Sequence, residues 1–289
     1  MPTPSSFSRR NLIAGAAASL GSGLAAARDP LGEIERKVGG RLGVFALDVL
    51  SGRALTRRAS ERFPMCSTFK AMAVAALLKR VDSGQERLDR FIRYGEADLL
   101  SYAPVSKAHL AQGGMTLADI CAAAIEYSDN TAANAILAAI GGPAGWTRFV
   151  RSLGDARSRL DRNEPTLNTA IPGDPRDTAV PVAMAGDLRR VLIGDALSPA
   201  SRERLTGWMV DCKTGMARLR AGLPRGWRIA DKTGSGENAT SNDIAVAWSP
   251  RGPIVIICYL TGATAATGDA RDAAIADVGR MVAEAFGHG

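Results

Sequence analysis

The stretch Cys66-Ser67-Thr68-Phe69-Lys70 sets a serine one helical turn before a lysine, at the head of the apolar run Ala71 to Leu78. A lysine is seldom fully buried unless something pairs with it. A serine hydroxyl becomes a nucleophile when a neighbour takes its proton, and the usual neighbour is histidine. The chain has 2 histidines, His109 and His288, and His288 is the penultimate residue. A nucleophilic Ser67 therefore needs another base. Lys70 can serve only if burial or a second cation lowers its reference pKa of about 10.4.

Three further motifs follow in order: Ser128-Asp129-Asn130, Glu164-Pro165-Thr166-Leu167-Asn168 and Lys232-Thr233-Gly234. Each has a plain reading when taken alone. Ser-Asp-Asn caps and turns well, so it reads as a link between helices. Glu164 and Asn168 read as solvated loop residues. Lys-Thr-Gly occurs twice. The copy at 213–215 follows a helical run and reads as its cap and turn. The copy at 232–234 ends a strand-like run, where a sheet edge can offer a lysine and backbone amides to a ligand, and it is the preferred candidate.

The elements that must position these residues are visible in the pattern. Arg41 to Leu50 and Ala54 to Arg57 flank Ser51-Gly52-Arg53 as a hairpin. Gly226 to Lys232, Asp243 to Trp248 and Ile254 to Leu260 are strand-like near the other end. Between them the spacing predicts helices over Ser67 to Val81, from Thr116 with a capping box to Asp119, and over Asn130 to Ile140. More follow over Pro143 to Leu153, Val182 to Ile193 and Pro199 to Val210. The segment from Asp155 to Pro181 has no sustained period, and an irregular connection of that size is usually functional. These boundaries give a sheet domain over residues 28–61 and 213–289, interrupted by an all-helical domain over 62–212.

Residues 1–27 read as an address. Arg9-Arg10, a Gly/Ala-rich apolar run to Leu24 and Ala25-Ala26-Ala27 resemble a twin-arginine export signal, so a periplasmic or secreted protein is expected. No later stretch reaches the roughly 18 apolar residues of a membrane span. No membrane association is expected once the signal is removed. At 289 residues, 46% hydrophobic and 22% charged, the chain is ordinary for a soluble protein with a sizeable core. Its net charge of +7 would permit nucleic-acid binding, but the 36 Lys and Arg are dispersed with no run longer than 2. The interleaved basic and aromatic signature is absent, which argues against that class. Cysteines at 66, 121, 212 and 258 lack metal-ligand spacing and read as buried thiols. No metal or cofactor is implied.

In order, spacing and intervening helices, the four motifs resemble those of the class A serine β-lactamases over nearly all of the chain after the signal. Glu164 and Asn168 separate that family from the penicillin-binding proteins, which share the other three motifs. The resemblance implies an α+β fold: a five-stranded antiparallel sheet with flanking terminal helices, beside an all-helical domain, with the site in the groove between. It implies hydrolysis of the β-lactam ring of penicillins and cephalosporins through a serine acyl-enzyme, and hence β-lactam resistance. The only partner implied is the small-molecule β-lactam, and a monomer is expected.

The same resemblance assigns roles. Ser67 would be the nucleophile, with Lys70 or Glu164 as its base. Ser128 would pass a proton to the lactam nitrogen, and Asn130 would hold the substrate's side-chain amide. Lys232 and Thr233 would bind the substrate carboxylate, while the N–H groups of Ser67 and Ser235 would form the oxyanion hole. Glu164 and Asn168 would activate the hydrolytic water, Arg162 and Asp177 would close the neck of the long loop, and Tyr102 would stand at the groove mouth. Read without the family, Arg162 and Asp177 are solvated charges and Tyr102 a loop aromatic.

Many members carry an arginine for the carboxylate on the strand after Lys-Thr-Gly, where this chain has Ser241. Another branch supplies it from the segment before, and Arg218 stands at the matching position; Arg220 is the competitor, read as covering surface. The carbapenem-hydrolysing branch bridges the cysteine matching Cys66 to a position that is Gly236 here, so that bridge cannot form. Lys232 to Glu237 with Ser241-Asn242-Asp243 instead resembles the branch active on oxyimino-cephalosporins. A non-hydrolysing penicillin sensor and a D,D-peptidase are the rival readings, and both lack the Glu-x-x-x-Asn loop.

Overall fold

A computed structural model describes residues 29–287. The export signal read over 1–27 and His288 lie outside the described residues. The sheet contains β1 (Arg41–Asp48), β2 (Ala54–Arg57), β7 (Arg228–Gly236), β8 (Thr240–Ser249) and β9 (Gly252–Thr261), in the order β2-β1-β9-β8-β7 with antiparallel neighbours throughout. The apolar run of β9 explains its central place. Ile254, Ile256, Cys258 and Leu260 face one core with α1 (Pro30–Val38) and α10 (Gly268–Gly287), while Val255, Ile257 and Tyr259 face the other. A strand covered on both faces has no polar side to show, and its sequence is accordingly a continuous apolar run.

Two of the expected strands are longer than their apolar patterns. β7 runs through Lys232-Thr233-Gly234 to Gly236 instead of ending there, and β8 starts at Thr240 instead of Asp243. The small polar residues between lack alternation, yet a tight turn at residues 237–239 pairs Gly236 with Thr240 and extends the ladder. Asn238 and Ala239 take left-handed backbone conformations (φ +51° and +47°) to make it.

The middle of the chain is mostly helical: α2 (Phe69–Asp82), α3 (Pro104–Ala108), α4 (Leu117–Glu126), α5 (Asn130–Ile140), α6 (Gly142–Ser152), α7 (Pro181–Leu192), α8 (Pro199–Val210) and the short α9 (Leu219–Gly222). It is not all-helical, however. β3 (Phe63–Pro64) pairs with β6 (Thr178–Ala179), and β4 (Phe91–Arg93) pairs with β5 (Gly114–Thr116). Runs of two or three residues are too short to display a period of two in sequence, so pattern reading passes over them.

Every residue of α2 from Phe69 to Leu78 is buried. A helix that is apolar all round is one surrounded by protein, and α2 is enclosed by α4, α5, α6, α7 and α8. That central position buries Lys70. On α4, the Thr116 hydroxyl accepts from Asp119 N at 3.2 Å, as the capping pattern predicts. Helix α7 crosses to pack on β9 and β1, so the second core is shared between sheet and helices.

Candidate active site

Ser67 lies in a 3-10 turn, Cys66–Thr68, that opens into α2. Two features of the sheet hold the turn. Asn242 of β8 donates through Nδ2 to the carbonyls of Pro64 (2.8 Å) and Met65 (3.0 Å). Gly234 of β7 comes so close that a Cβ there would stand 2.7 Å from Met65 O and 3.1 Å from Thr68 N. Only glycine lets strand and turn meet at that separation. Because β7 is the sheet's edge strand, its outer side is available to this turn. Cys66 pays with a left-handed backbone (φ +46°), and Ser128 does the same (φ +59°), both against the groove.

Lys70 Nζ is fully buried and faces four acceptors: Asn130 Oδ1 at 2.7 Å, Ser128 O at 2.8 Å, Glu164 Oε1 at 3.0 Å and Ser128 Oγ at 3.3 Å. Burial pulls its proton affinity down, and the Glu164 carboxylate opposes that. Of the two causes the sequence left open, burial and a second cation, burial is the one that lowers it. Lys232 Nζ, also fully buried, donates to Thr233 O (2.8 Å) and Ser128 Oγ (3.0 Å). Burial lowers it to about 8, with the charge of Lys70 as a smaller contribution.

The Ser67 hydroxyl is bonded to Glu164 Oε1, at 3.2 Å. The link from Ser67 to Lys70 that the sequence suggests therefore runs through the carboxylate, which meets Lys70 on the same oxygen. Asn168 Nδ2 donates to the other oxygen. Asn134, on α5, clamps the Glu164 backbone in both directions, accepting from its N–H at 3.0 Å and donating to its carbonyl at 2.9 Å. Sequence reasoning missed Asn134. Its signal is spacing: it lies four residues after Asn130, so one face of α5 presents both.

At the neck of the loop, Arg162 Nε meets Asp177 Oδ2 at 2.6 Å, and Asp177 Oδ1 accepts from the backbone of Asp161 (2.8 Å) and Arg162 (3.0 Å). Asp177 is 1% exposed, so this is not a pair of solvated charges. Asp129 performs a parallel task for Ser128 and Asn130. Its carboxylate accepts from Ala132 N (2.9 Å), Val105 N (3.0 Å), and both the N–H and hydroxyl of Ser106 (2.9 Å each). Asn130 N donates to Tyr102 O at 3.0 Å, which sets the half-exposed Tyr102 ring at the mouth.

At the other end of the groove Arg218 is held on all sides. Its Nη1 donates to Asn242 O (2.7 Å) and Gly234 O (2.9 Å), Nη2 to Ser235 Oγ (2.8 Å), and Nε to Asp272 Oδ1 of α10 (2.8 Å). Arg220 does not cover surface as expected. It meets the buried carboxylate of Asp231 and donates to the carbonyls of Val210 (2.8 Å), Met209 (3.0 Å) and Ile229 (3.0 Å), tying α8 to β7. The two arginines should separate in experiment. Arg218→Ala is expected to raise KM for penicillins with a smaller fall in kcat, since a charge-assisted contact made before and during reaction acts on binding. Arg220→Ala should lower stability by about 3 kcal/mol, because it strands Asp231 in the interior. Melting curves and steady-state kinetics on both variants check this, and a KM effect confined to Arg220→Ala would reverse the assignment.

Ser67, Ser128, Asn130, Asn168, Arg218, Thr233, Gly234, Ser235 and Tyr102 line one groove of about 400 Å³, with Thr214 as an unanticipated member. A Cβ at position 236 would stand 2.6 Å from Cys66 Sγ, and with glycine there Cys66 remains a free buried thiol, as do Cys121, Cys212 and Cys258.

The profile of the Beta-lactamase enzyme family matches residues 26–286. β-Lactamase AST-1 of Nocardia asteroides is 46% identical over 263 residues, covering 91% of this chain and 84% of that protein. β-Lactamase Toho-1 of Escherichia coli is 49% identical over 229 residues, covering 79% of this chain and 78% of that one. The solved structure of an ancestral (GNCA) class A β-lactamase superposes with a TM-score of 0.87 at 60% identity, over 89% of this chain and 98% of that chain. Identity of this degree, spread over most of the chain and shared by sequence and structure alike, places the chain in class A of the β-lactamase enzyme family.

Proposed function

We propose that the groove opens the β-lactam ring on Ser67 and then hydrolyses the ester so formed. The observation that carries the reading is the meeting of Ser67 Oγ and Lys70 Nζ on one oxygen of Glu164. An ammonium has three hydrogens and no lone pair, and Lys70 already faces four acceptors, so the group positioned to receive the Ser67 proton is Glu164. Ser67 Oγ bonds to the lactam carbonyl carbon, and the N–H groups of Ser67 and Ser235 take the developing oxyanion.

The ring C–N bond then breaks and its nitrogen takes a proton from Ser128. The Ser128 oxygen accepts from both Lys70 and Lys232, which leaves its own hydrogen free to point into the groove. Lys70 resupplies Ser128, and Glu164 resupplies Lys70, so the proton that left Ser67 ends on nitrogen. Glu164 is a carboxylate again and, with Asn168, activates the water that breaks the ester. Lys232, Thr233 and Arg218 hold the substrate carboxylate, Asn130 its side-chain amide, and Tyr102 flanks that side chain.

Glu164 beside Ser67 favours the hydrolase over a sensor that is acylated and stays so. A nitrocefin assay separates them: sustained colour development supports the hydrolase, and a single stoichiometric burst overturns it. Penicillins and cephalosporins, oxyimino-cephalosporins included, are the substrates we infer. Residues 1–27 serve as a twin-arginine export signal in this reading, delivering a monomer to the periplasm or medium.

Lys232 also gives the enzyme an alkaline limit. It is charged below about pH 8 and neutral above, so its attraction for the substrate carboxylate is present at neutral pH and fades as pH rises. The profile of kcat/KM reports the free enzyme, and it should fall above about pH 8. Lys232→Arg keeps its charge and should carry that limb to higher pH. An unmoved limb would assign it to another group.

A further inference from the structure

The first Lys-Thr-Gly copy, at 213–215, has no part in the chemistry above, yet the structure lays it against the second. Thr214 Oγ1 stands 2.6 Å from Thr233 Oγ1, and Cys212 Sγ lies 3.3 Å behind Thr214 Oγ1. Gly215 permits the approach: a Cβ there would stand 1.9 Å from a carboxylate oxygen of Asp231, the residue preceding Lys232. Thr214 and Thr233 both line the groove, whereas Cys212 is buried behind it.

Each hydroxyl has one hydrogen, so this row has two polarities. If Thr233 donates to Thr214, and Thr214 to sulfur, the Thr233 hydrogen is turned away from the groove and the thiol hydrogen is left for the Asp231 carboxylate. In the opposite sense the thiol donates to Thr214 and Thr214 to Thr233, and the Thr233 hydrogen is left pointing at whatever the groove holds. A carboxylate selects the second sense, because it can only accept. We propose that Thr214 is a positioning residue for the substrate carboxylate, fixing the Thr233 hydroxyl as a donor into the groove with the Cys212 thiol behind it. The proposal rests on the reading of Lys232 and Thr233 as the carboxylate's holders.

The test compares benzylpenicillin with its methyl ester on the purified enzyme and its Thr214→Val, Thr214→Ser and Thr233→Val variants. Thr214→Val, which keeps the shape, should raise KM for the acid by about three- to tenfold, the usual net share of one hydrogen bond, with kcat within about twofold. KM for the ester should not move, and Thr214→Ser should restore the acid. An unchanged KM for the acid in Thr214→Val, or an equal rise for acid and ester, overturns the proposal. If Thr233→Val also leaves the acid's KM unchanged, the carboxylate reading itself fails.

Discussion

Ser67→Ala should remove β-lactam hydrolysis by four or more orders of magnitude, on the order of what other enzymes lose with their nucleophile. The groove holds other serine and threonine hydroxyls, but each is committed elsewhere. Ser128 accepts from two lysines, Thr233 pairs with Thr214, and Ser235 accepts from Arg218. The loss should be chemical and not structural, since the Ser67 side chain gives up one hydrogen bond and leaves the turn's other ties intact. The variant should melt within a few degrees of the parent. Intact-mass measurement with a slowly released substrate should show one adduct on the parent, mapping to the Ser67 peptide, and none on the variant. An adduct on another residue would remove Ser67 from its role.

Glu164→Ala has the second large effect, and it should divide the reaction in two. Burial lowers the proton affinity of Lys70 and the Glu164 carboxylate opposes it. Without the carboxylate, burial is opposed only by smaller contributions, that of Asp129 among them, and Lys70 falls further, toward a neutral amine with a lone pair. That amine can take the Ser67 proton, so acylation should continue at a reduced rate. No group replaces Glu164 for the water, and the ester should persist. Stopped-flow absorbance should record a burst of about one equivalent followed by turnover reduced on the order of a thousandfold. Steady-state turnover at the parent rate would end the role proposed for Glu164.

What the sequence discloses about this site is the part that chemistry ties to residue type. Ser67, Lys70, Ser128, Glu164 and Lys232 sit in short motifs because their reacting atoms must be serine, lysine or carboxylate, and the structure gathers all five around one point. Asn134, Asn242 and Asp272 act through tertiary approach, where many side chains could do, and nothing local distinguishes them from other helix and strand residues. Thr214 was masked by a local explanation that holds only in part: a turn does follow α8, but the helix is capped at Asp211, and Lys213 N donates instead to Glu126 O. Arg220 misled because charge suggests surface, while its partner, Asp231, is hidden in a strand. Helices with clear end signals, such as α5 between Asp129 and Gly141 and α8 after Ser198 and Pro199, appear at the residues those signals indicate. β7 and β8 overran their patterns because a hairpin ladder is held by backbone, which sequence patterning does not record.

The sheet's strand order has a consequence for how the chain folds. β1 pairs with β9 from Arg41 against Thr261 to Asp48 against Ile254. These partners are separated by most of the polypeptide. During synthesis β1 has only the short β2 to pair with, and both cores lack their central strand until β9 has emerged. Closing so wide a loop is entropically slow, and the open state exposes strand edges that invite aggregation. The helices of the middle segment, whose contacts are more local, can assemble first, leaving the docking of β1 on β9 as the late step. Nascent chains arrested before residue 252 should therefore be protease-sensitive and chaperone-bound, however complete their helices.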